Sequence, residues 1–300
     1  MMKSITEQIK KGITAHHGKL ERVGAGRSLF SIPATNTFIY FRYSKILGQS
    51  RPYAFFGLRK QDVDLARGGN LYLCFVTDMP NEVFLIPFAD FESCYDYTHV
   101  GSDGQYKTMI FFKEDGAELY IPQSARFNAE AYRGLDGLFA GPDAARAPEI
   151  DHAGAQTLLG VIGSLKGHSI WFPKNDLDKI DFGMVDRSNL CRSLPSFGST
   201  ADAILKEIDV IWLSGSRLAA IFEVEHSTPI YSGLLRISDI LISSANAVDA
   251  KIVAEQERRD AFQRQVRRPT FQKHKLDEKV SFISYQNVWQ WSQILRGKTA

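Results

Sequence analysis

Cysteine is scarce in this 300-residue chain. There are three, Cys74, Cys94 and Cys191, and their spacing fits neither a disulfide framework nor a zinc motif. That usage points to a reducing compartment. An excess of one charge sign is also lacking. The net charge is +2, so bulk charge announces no nucleic-acid partner, and any such binding has to come from local patches. No run approaches the about 18 consecutive apolar residues of a membrane span. The first residues, MMKSITEQIKKGITAHHGK, lack the apolar core of a signal peptide. There is no internal repeat and no low-complexity tract. Gly24-Ala25-Gly26 lacks the flanking strand and helix of a nucleotide loop. His16-His17 has no partner spacing for a metal. The expectation is a soluble, cytoplasmic protein.

What is present is an ordinary globular composition, 44% hydrophobic and 23% charged. Over this length it supports one large or two ordinary domains. Ile5, Ile9 and Ile13 predict a helix over residues 3–16. A β-rich stretch follows, with strands expected at Ser28–Ile32, Thr37–Tyr43, Tyr53–Leu58, Asn70–Thr77, Glu82–Pro87, Tyr106–Phe112 and Glu118–Ile121. A helix is expected near Ala125–Leu138. The small residues and two prolines of Ala140–Pro148 then read as a linker. The division is therefore 1–139, a β-rich domain, 140–150, a linker, and 151–300, a second domain.

The second half alternates. Helices are expected over Ala155–Leu165 and Ala201–Glu207, the latter capped by Ser199 or Thr200. Ser169–Pro173 reads as extended. Ser227-Thr228-Pro229 starts a helix running to about Ala247. Lys251–Ala254 is a short buried strand, Glu257–Arg267 a charged helix, and Val280–Ser284 a last strand before a terminal helix. The order implies a mixed sheet with helices on its faces.

Within that order lies one chemically unusual element. Ile208–Leu213 and Leu218–His226 are two apolar runs around a Gly-containing turn, Ser214–Arg217, which reads as a β-hairpin. Three carboxylates interrupt the runs: Asp209 near the start of the first, Glu223 and Glu225 near the end of the second. A hairpin brings those ends together, and residues two apart in a strand share a face. Three acids on an apolar hairpin repel one another and resist desolvation. A hard divalent cation such as Mg²⁺ or Mn²⁺ removes that cost. The bland alternative is a hairpin end carrying surface carboxylates, which the apolar neighbours of Asp209 and Glu223 disfavour.

The pattern resembles the PD-(D/E)xK nuclease superfamily, the restriction-endonuclease-like fold. Asp209, a gap of 13 residues, Glu223-Val224-Glu225 and a following helix match its motif over roughly Ala155–Ile294. Glu225 stands where the motif usually has Lys, as in a minority of active members. The resemblance implies that Asp209, Glu223 and the Val224 carbonyl hold Mg²⁺, with Mn²⁺ as a substitute. It implies that Asp209, Glu223 and Glu225 form the catalytic set. The fold class it implies is α/β, a restriction-endonuclease-like mixed sheet preceded by the β-rich domain, which would recognise DNA. Asp176, Asp178 and Asp181 lie near in sequence but receive no role.

The activity so implied is a site-specific type II restriction endonuclease of prokaryotic type. It would act on double-stranded DNA as a homodimer, alongside a cognate DNA methyltransferase. A repair or RNA-processing nuclease, and an inactive nucleic-acid-binding protein on the same fold, remain open alternatives. Residues 251–275 hold eight basic residues against three acidic ones. Arg264, Arg267 and Arg268 are expected to share a helix face and contact phosphates. Arg236, on the helix after the hairpin, is a further candidate for substrate contact. Arg42, Arg51, Arg59, Lys60 and Arg67 are interleaved with Tyr40, Tyr43, Tyr53 and Phe56 in a pattern that also occurs in nucleic-acid binding. His226 should point away from both glutamates.

Overall fold

The computed structural model describes residues 2–66, 69–96, 98–114, 116–135, 138, 148–227, 229–243 and 248–299. The expected linker falls largely outside these, as do Arg67 and Thr228. The chain divides into two compact units, Met1–Ser124 with Tyr132–Arg146, and Ala125–Ala131 with Ala147–Ala300.

The first unit opens with helix α1 (Met2–His17). Five of its strands form one sheet: β1 (Glu21–Arg22), β2 (Leu29–Ile32), β3 (Thr37–Tyr43), β6 (Asn70–Val76) and β7 (Val83–Pro87), in that order. Ile9 and Ile13 of α1 pack with Ile32, Ile39, Cys74 and Leu85, so the period-four isoleucines cover one face of this sheet. Strands β4 (Ile46–Leu47), β5 (Tyr53–Arg59), β8 (Gln105–Lys113) and β9 (Gly116–Ile121) lie in the order β9-β8-β5-β4. Short helices α2 (Lys60–Ala66) and α3 (Glu92–Asp96) complete the unit.

Strand β10 (Ala125–Asn128) belongs to the second unit. It replaces the helix expected there. Arg126 and Phe127 pair in parallel with Ser281 and Phe282, and this distant partner overrides the local helical pattern. The unit continues with α4 (His152–Leu165), β11 (Ser169–Trp171), α5 (Ser199–Leu205), β12 (Val210–Ser214), β13 (Arg217–Glu225), α6 (Ile230–Ser243), β14 (Asp249–Ala254), α7 (Arg259–Val266), α8 (Pro269–Gln272), β15 (Val280–Ser284) and α9 (Tyr285–Thr299). Gly198, with φ 106°, caps α5, so Ser199 and Thr200 sit inside its first turn rather than before it.

The strand order of this unit is β11-β12-β13-β14-β15-β10. β12 and β13 form the expected antiparallel hairpin, with a tight turn at Gly215, φ 61°. β13, β14, β15 and β10 run parallel. Central parallel strands are covered on both faces, which is why they read as nearly unbroken apolar runs. One face carries Val210, Trp212, Ala220, Phe222, Val224, Val253 and Ile283, packed with Leu158 and Ile162 of α4 and Val288 and Trp291 of α9. Gly163 of α4 permits that close approach. A Cβ there would lie 2.5 Å from Trp212 Nε1 and closer still to Ile170 Cδ1. The sheets flanked by helices make this a mixed α/β protein.

Candidate active site

Asp209 lies one residue before β12, opposite the last residues of β13. Its Oδ2 accepts a hydrogen bond of 2.7 Å from the Val224 N–H. The two strand ends are thus fastened together at a carboxylate. Val224 turns its side chain into the α4/α9 core. Glu223 and Glu225 therefore point to the other face, beneath α6. A Cβ on Gly233 of α6 would lie 2.5 Å from Glu225 Oε1 and 3.2 Å from Glu223 Cβ. His226 emerges on the opposite side and stacks on Tyr285, ring centroids 6.3 Å apart.

Both glutamates are buried, Glu223 at 0% and Glu225 at 1% exposure. Arg236, one turn further along α6 than Gly233, grips Glu223 with two bonds. Its Nε donates to Oε1 at 2.7 Å and its Nη2 to Oε2 at 2.6 Å. This fork is the geometry guanidinium offers a carboxylate. Burial nonetheless pushes the Glu223 carboxyl up to about 8, with Arg236 opposing and the charges of Asp209 and Glu225 adding to the rise. The Arg236 guanidinium is held more firmly protonated, first by its bonds to Glu223. Its side chain remains 38% exposed. Arg258 Nη1 donates to the Glu225 and His226 carbonyls at 2.6 and 2.7 Å, which fixes the end of β13.

A second set of groups meets Asp209. His152 opens α4 behind its cap, Asp151, whose side chain accepts from the Gly154 N–H. His152 Nε2 lies 3.5 Å from Asp209 Oδ1. Asp176, at the end of a 3₁₀ turn Lys174–Asp176, joins them. One ligand atom from each of His152, Asp176 and Asp209 lies within 4.8 Å of the other two, a grouping that Glu223 and Glu225 do not enter. Gln156 Nε2 donates to Asp176 Oδ2 at 3.1 Å and to the Asp209 carbonyl at 3.4 Å. Lys179 Nζ stands 2.8 Å from Asp176 Oδ1. The contact with Asp209 raises the His152 pKa against the effect of burial. Burial disfavours the charged form of Asp176, but its bonds to Lys179 and Gln156 outweigh this and lower its pKa. Sequence reasoning missed His152 and assigned no role to Asp176. Residues so far apart in sequence carry no joint local signal. Asp178 and Asp181 are exposed.

The basic segment is less uniform than its composition suggests. Lys251 and Arg259 are buried, at 1% and 6%. Arg264 is exposed on α7. Arg267 ends that helix, and Arg268 is extended, φ −62° and ψ 144°. The three do not share one helical face, because Pro269 excludes the residue before it from helical geometry. Arg268 instead lies over the Tyr231 ring, 4.8 Å from its centroid. In the first unit, Tyr40 and Phe56 are core residues. Tyr40 Oη donates to Asp62 at 3.1 Å and Phe56 stacks on Phe75 at 4.3 Å. They are not available to stack on bases.

Comparison with known proteins places the chain in a family. The family model described as the type II restriction enzyme NmeDI C-terminal domain matches residues 142–299, more than half of the chain. The chain belongs to this family. It is 32% identical over 133 residues to the type II restriction enzyme NmeDI of Neisseria meningitidis serogroup C. That match covers 40% of this chain and 37% of the relative's length. The family region contains α4, the acidic hairpin and every group described around Asp209. Among the described residues, no helix is long and apolar enough to cross a membrane.

Proposed function

We propose that this protein is a divalent-cation-dependent DNA endonuclease, a site-specific type II restriction enzyme. The observation that carries the reading is the family region's acidic hairpin end. There Asp209 is fastened to the Val224 N–H, and two buried glutamates lie on the neighbouring strand. In chemistry, the donors fit a cation. Asp209, Glu223 and Glu225 all act on the one Arg236 guanidinium, so three carboxyls share a single cation on that side, and an all-oxygen set suits Mg²⁺ or Mn²⁺.

In this mechanism Asp209 and Glu223, with the Val224 carbonyl, would hold the cation. A cation held there would supply Lewis acidity and lower the pKa of a bound water. Glu225, in place of the motif Lys, accepts the proton that water loses. Arg236 holds Glu223 in one orientation through its two bonds. Its exposed edge offers positive charge to phosphate. Arg264, Arg267 and Arg268 contact the DNA backbone, and the first unit reads the sequence. Cutting both strands calls for a homodimer, and protection of host DNA calls for a methyltransferase acting on the same site in the cytoplasm.

The test is cleavage of phage DNA, methylated and unmethylated, with Mg²⁺ by the whole protein and by Glu223→Ala. Discrete fragments that the variant fails to produce support the reading. Absence of cleavage with Mg²⁺ and with Mn²⁺ overturns it in favour of a structure-specific or RNA nuclease, or of a binding protein.

A further inference from the structure

Helix α1 lies far outside the family region, residues 142–299, and the chain around it is unlike the rest in charge. Residues 1–30 hold six basic side chains against Glu7 and Glu21, an excess of +4. The whole chain carries +2, which leaves −2 for the other 270 residues. We propose that the outward face of α1 is the DNA-reading surface of the first unit, with Glu7, Lys10, Lys11 and Thr14 turned to base edges in the major groove and Lys19 and Arg22 to phosphates. This role rests on the reading that the first unit recognises DNA, and not on the chemistry of the acidic hairpin.

Positions 7, 10, 11 and 14 fall at i, i+3, i+4 and i+7, one stripe of a helix. Ile5, Ile9 and Ile13 form the opposite stripe and pack against the sheet. Gly12 falls outside the polar stripe. Glu7, Lys11 and Thr14 are exposed. With Lys10 they line a cleft of about 470 Å³ whose lining also includes Leu20 and Phe30. Lys10 Nζ is held there, 3.1 Å from Glu7 Oε1 and 4.3 Å from the Phe30 ring centroid. Glu7 is 59% exposed, and a surface ion pair of this kind adds little to stability. What the pair does is fix a donor and an acceptor side by side on the outward face.

These side-chain types match duplex DNA. The major groove is about 12 Å wide and admits a helix. There Lys donates to guanine O6 and N7, Glu accepts from cytosine N4, and Thr serves either role. Lys19 and Arg22 are exposed just beyond the end of α1, where cations meet phosphates and release counterions. Lys19 stands 3.7 Å from Glu21 yet remains 84% exposed. A basic amphipathic helix also suits an anionic membrane. That partner is disfavoured here, because lipid takes up the apolar face of such a helix, and the apolar stripe of α1 is already packed against the sheet.

The experiment is selection from a pool of random DNA duplexes by the whole protein, in EDTA and again with Ca²⁺, so that binding is read without cleavage. Anisotropy titrations of the selected duplex at several KCl concentrations accompany it. The parent should select a shared motif. Glu7→Ala and Lys11→Ala should each relax that motif at one or two positions and weaken binding to it about tenfold, with unchanged circular dichroism. Lys19→Ala and Arg22→Ala should weaken binding similarly across sequences and each reduce the salt slope by about one. Selection that yields no motif, or a motif unchanged in both Glu7→Ala and Lys11→Ala, overturns this role for α1. Loss of binding to phosphatidylserine vesicles in Lys11→Ala, with the parent's motif retained, overturns it in favour of a membrane. A motif that depends on Lys11 in a protein that cuts no DNA supports the role and removes the nuclease reading. Discrete cutting with a motif indifferent to α1 does the reverse.

Discussion

Gly233→Ala separates stability from catalysis. Gly233 closes the first turn of α6 and lies against the two glutamates. In the helix interior alanine is favoured by about 1 kcal/mol. Here its methyl would sit 2.5 Å from Glu225 Oε1, 3.1 Å from Ile252 Cδ1 and 3.2 Å from Glu223 Cβ. Overfilling a packed site of this kind costs about 1–3 kcal/mol. The net expectation is a loss of about 0–2 kcal/mol, a fall in Tm of no more than about 8 °C for a protein of this size. The effect on cleavage is larger. Glu225 Oε1 has to retreat by about 1 Å to reach ordinary contact, and a displacement of that size at a reacting group is worth about 100-fold in rate. Gly12→Ala in α1 is the control, because a Cβ there meets nothing within 4 Å. It should gain up to about 1 kcal/mol and cut at the wild-type rate. Melting curves and single-turnover DNA cleavage of both variants decide the matter. If Gly233→Ala is as stabilising as Gly12→Ala and cuts as fast as the parent, the glutamates are not packed under this helix and the reasoning fails.

Glu223 sets a pH slope in the metal-free protein. Its carboxyl titrates near 8 when folded and near 4.5 when unfolded, so between those values the unfolded chain has lost a proton that the folded one keeps. Stability then falls as pH rises from about 4.5 to about 8. Glu223→Gln should flatten that fall in melts recorded with EDTA, and parallel curves would contradict it. Gly163→Ala should lower Tm by about 2–8 °C through its clash with Trp212 and Ile170 and shift Trp emission, with cleavage below the transition retained; an unchanged Tm would mean that α4 is not held this close to the sheet. Arg264→Ala and Arg268→Ala should each weaken DNA binding similarly across sequences and reduce the salt slope by about one. A loss confined to one sequence would assign them base contacts instead.

The hairpin was legible because its information is local. Period-two placement put Glu223 and Glu225 on one face, and antiparallel pairing set Asp209 beside them. The strands of the first unit were legible for the same reason, with β3 (Thr37–Tyr43) read to the residue. β10 was not. Two of its four residues pair with β15, more than 150 positions later. His152 and Asp176 reach Asp209 from separate stretches of chain, and no spacing rule connects them. Arg268 was misplaced for a different reason. Its signal was present in Pro269, which forbids the helical continuation that the arginine spacing suggested.

The place of β10 in the second unit has a consequence for how the protein is made. Arg126 and Phe127 are synthesised about 150 residues before Ser281 and Phe282, the partners they pair with. At about 5–20 residues per second on the ribosome, this strand waits on the order of 10–30 s for β15. The acidic hairpin and Arg236 emerge during that interval. The three hairpin carboxylates are therefore made before the sheet that carries them is closed, and the last strand to arrive completes the unit. A fragment beginning at residue 147 would lack β10 altogether and leave that side of β15 without this partner, open to pairing with other chains.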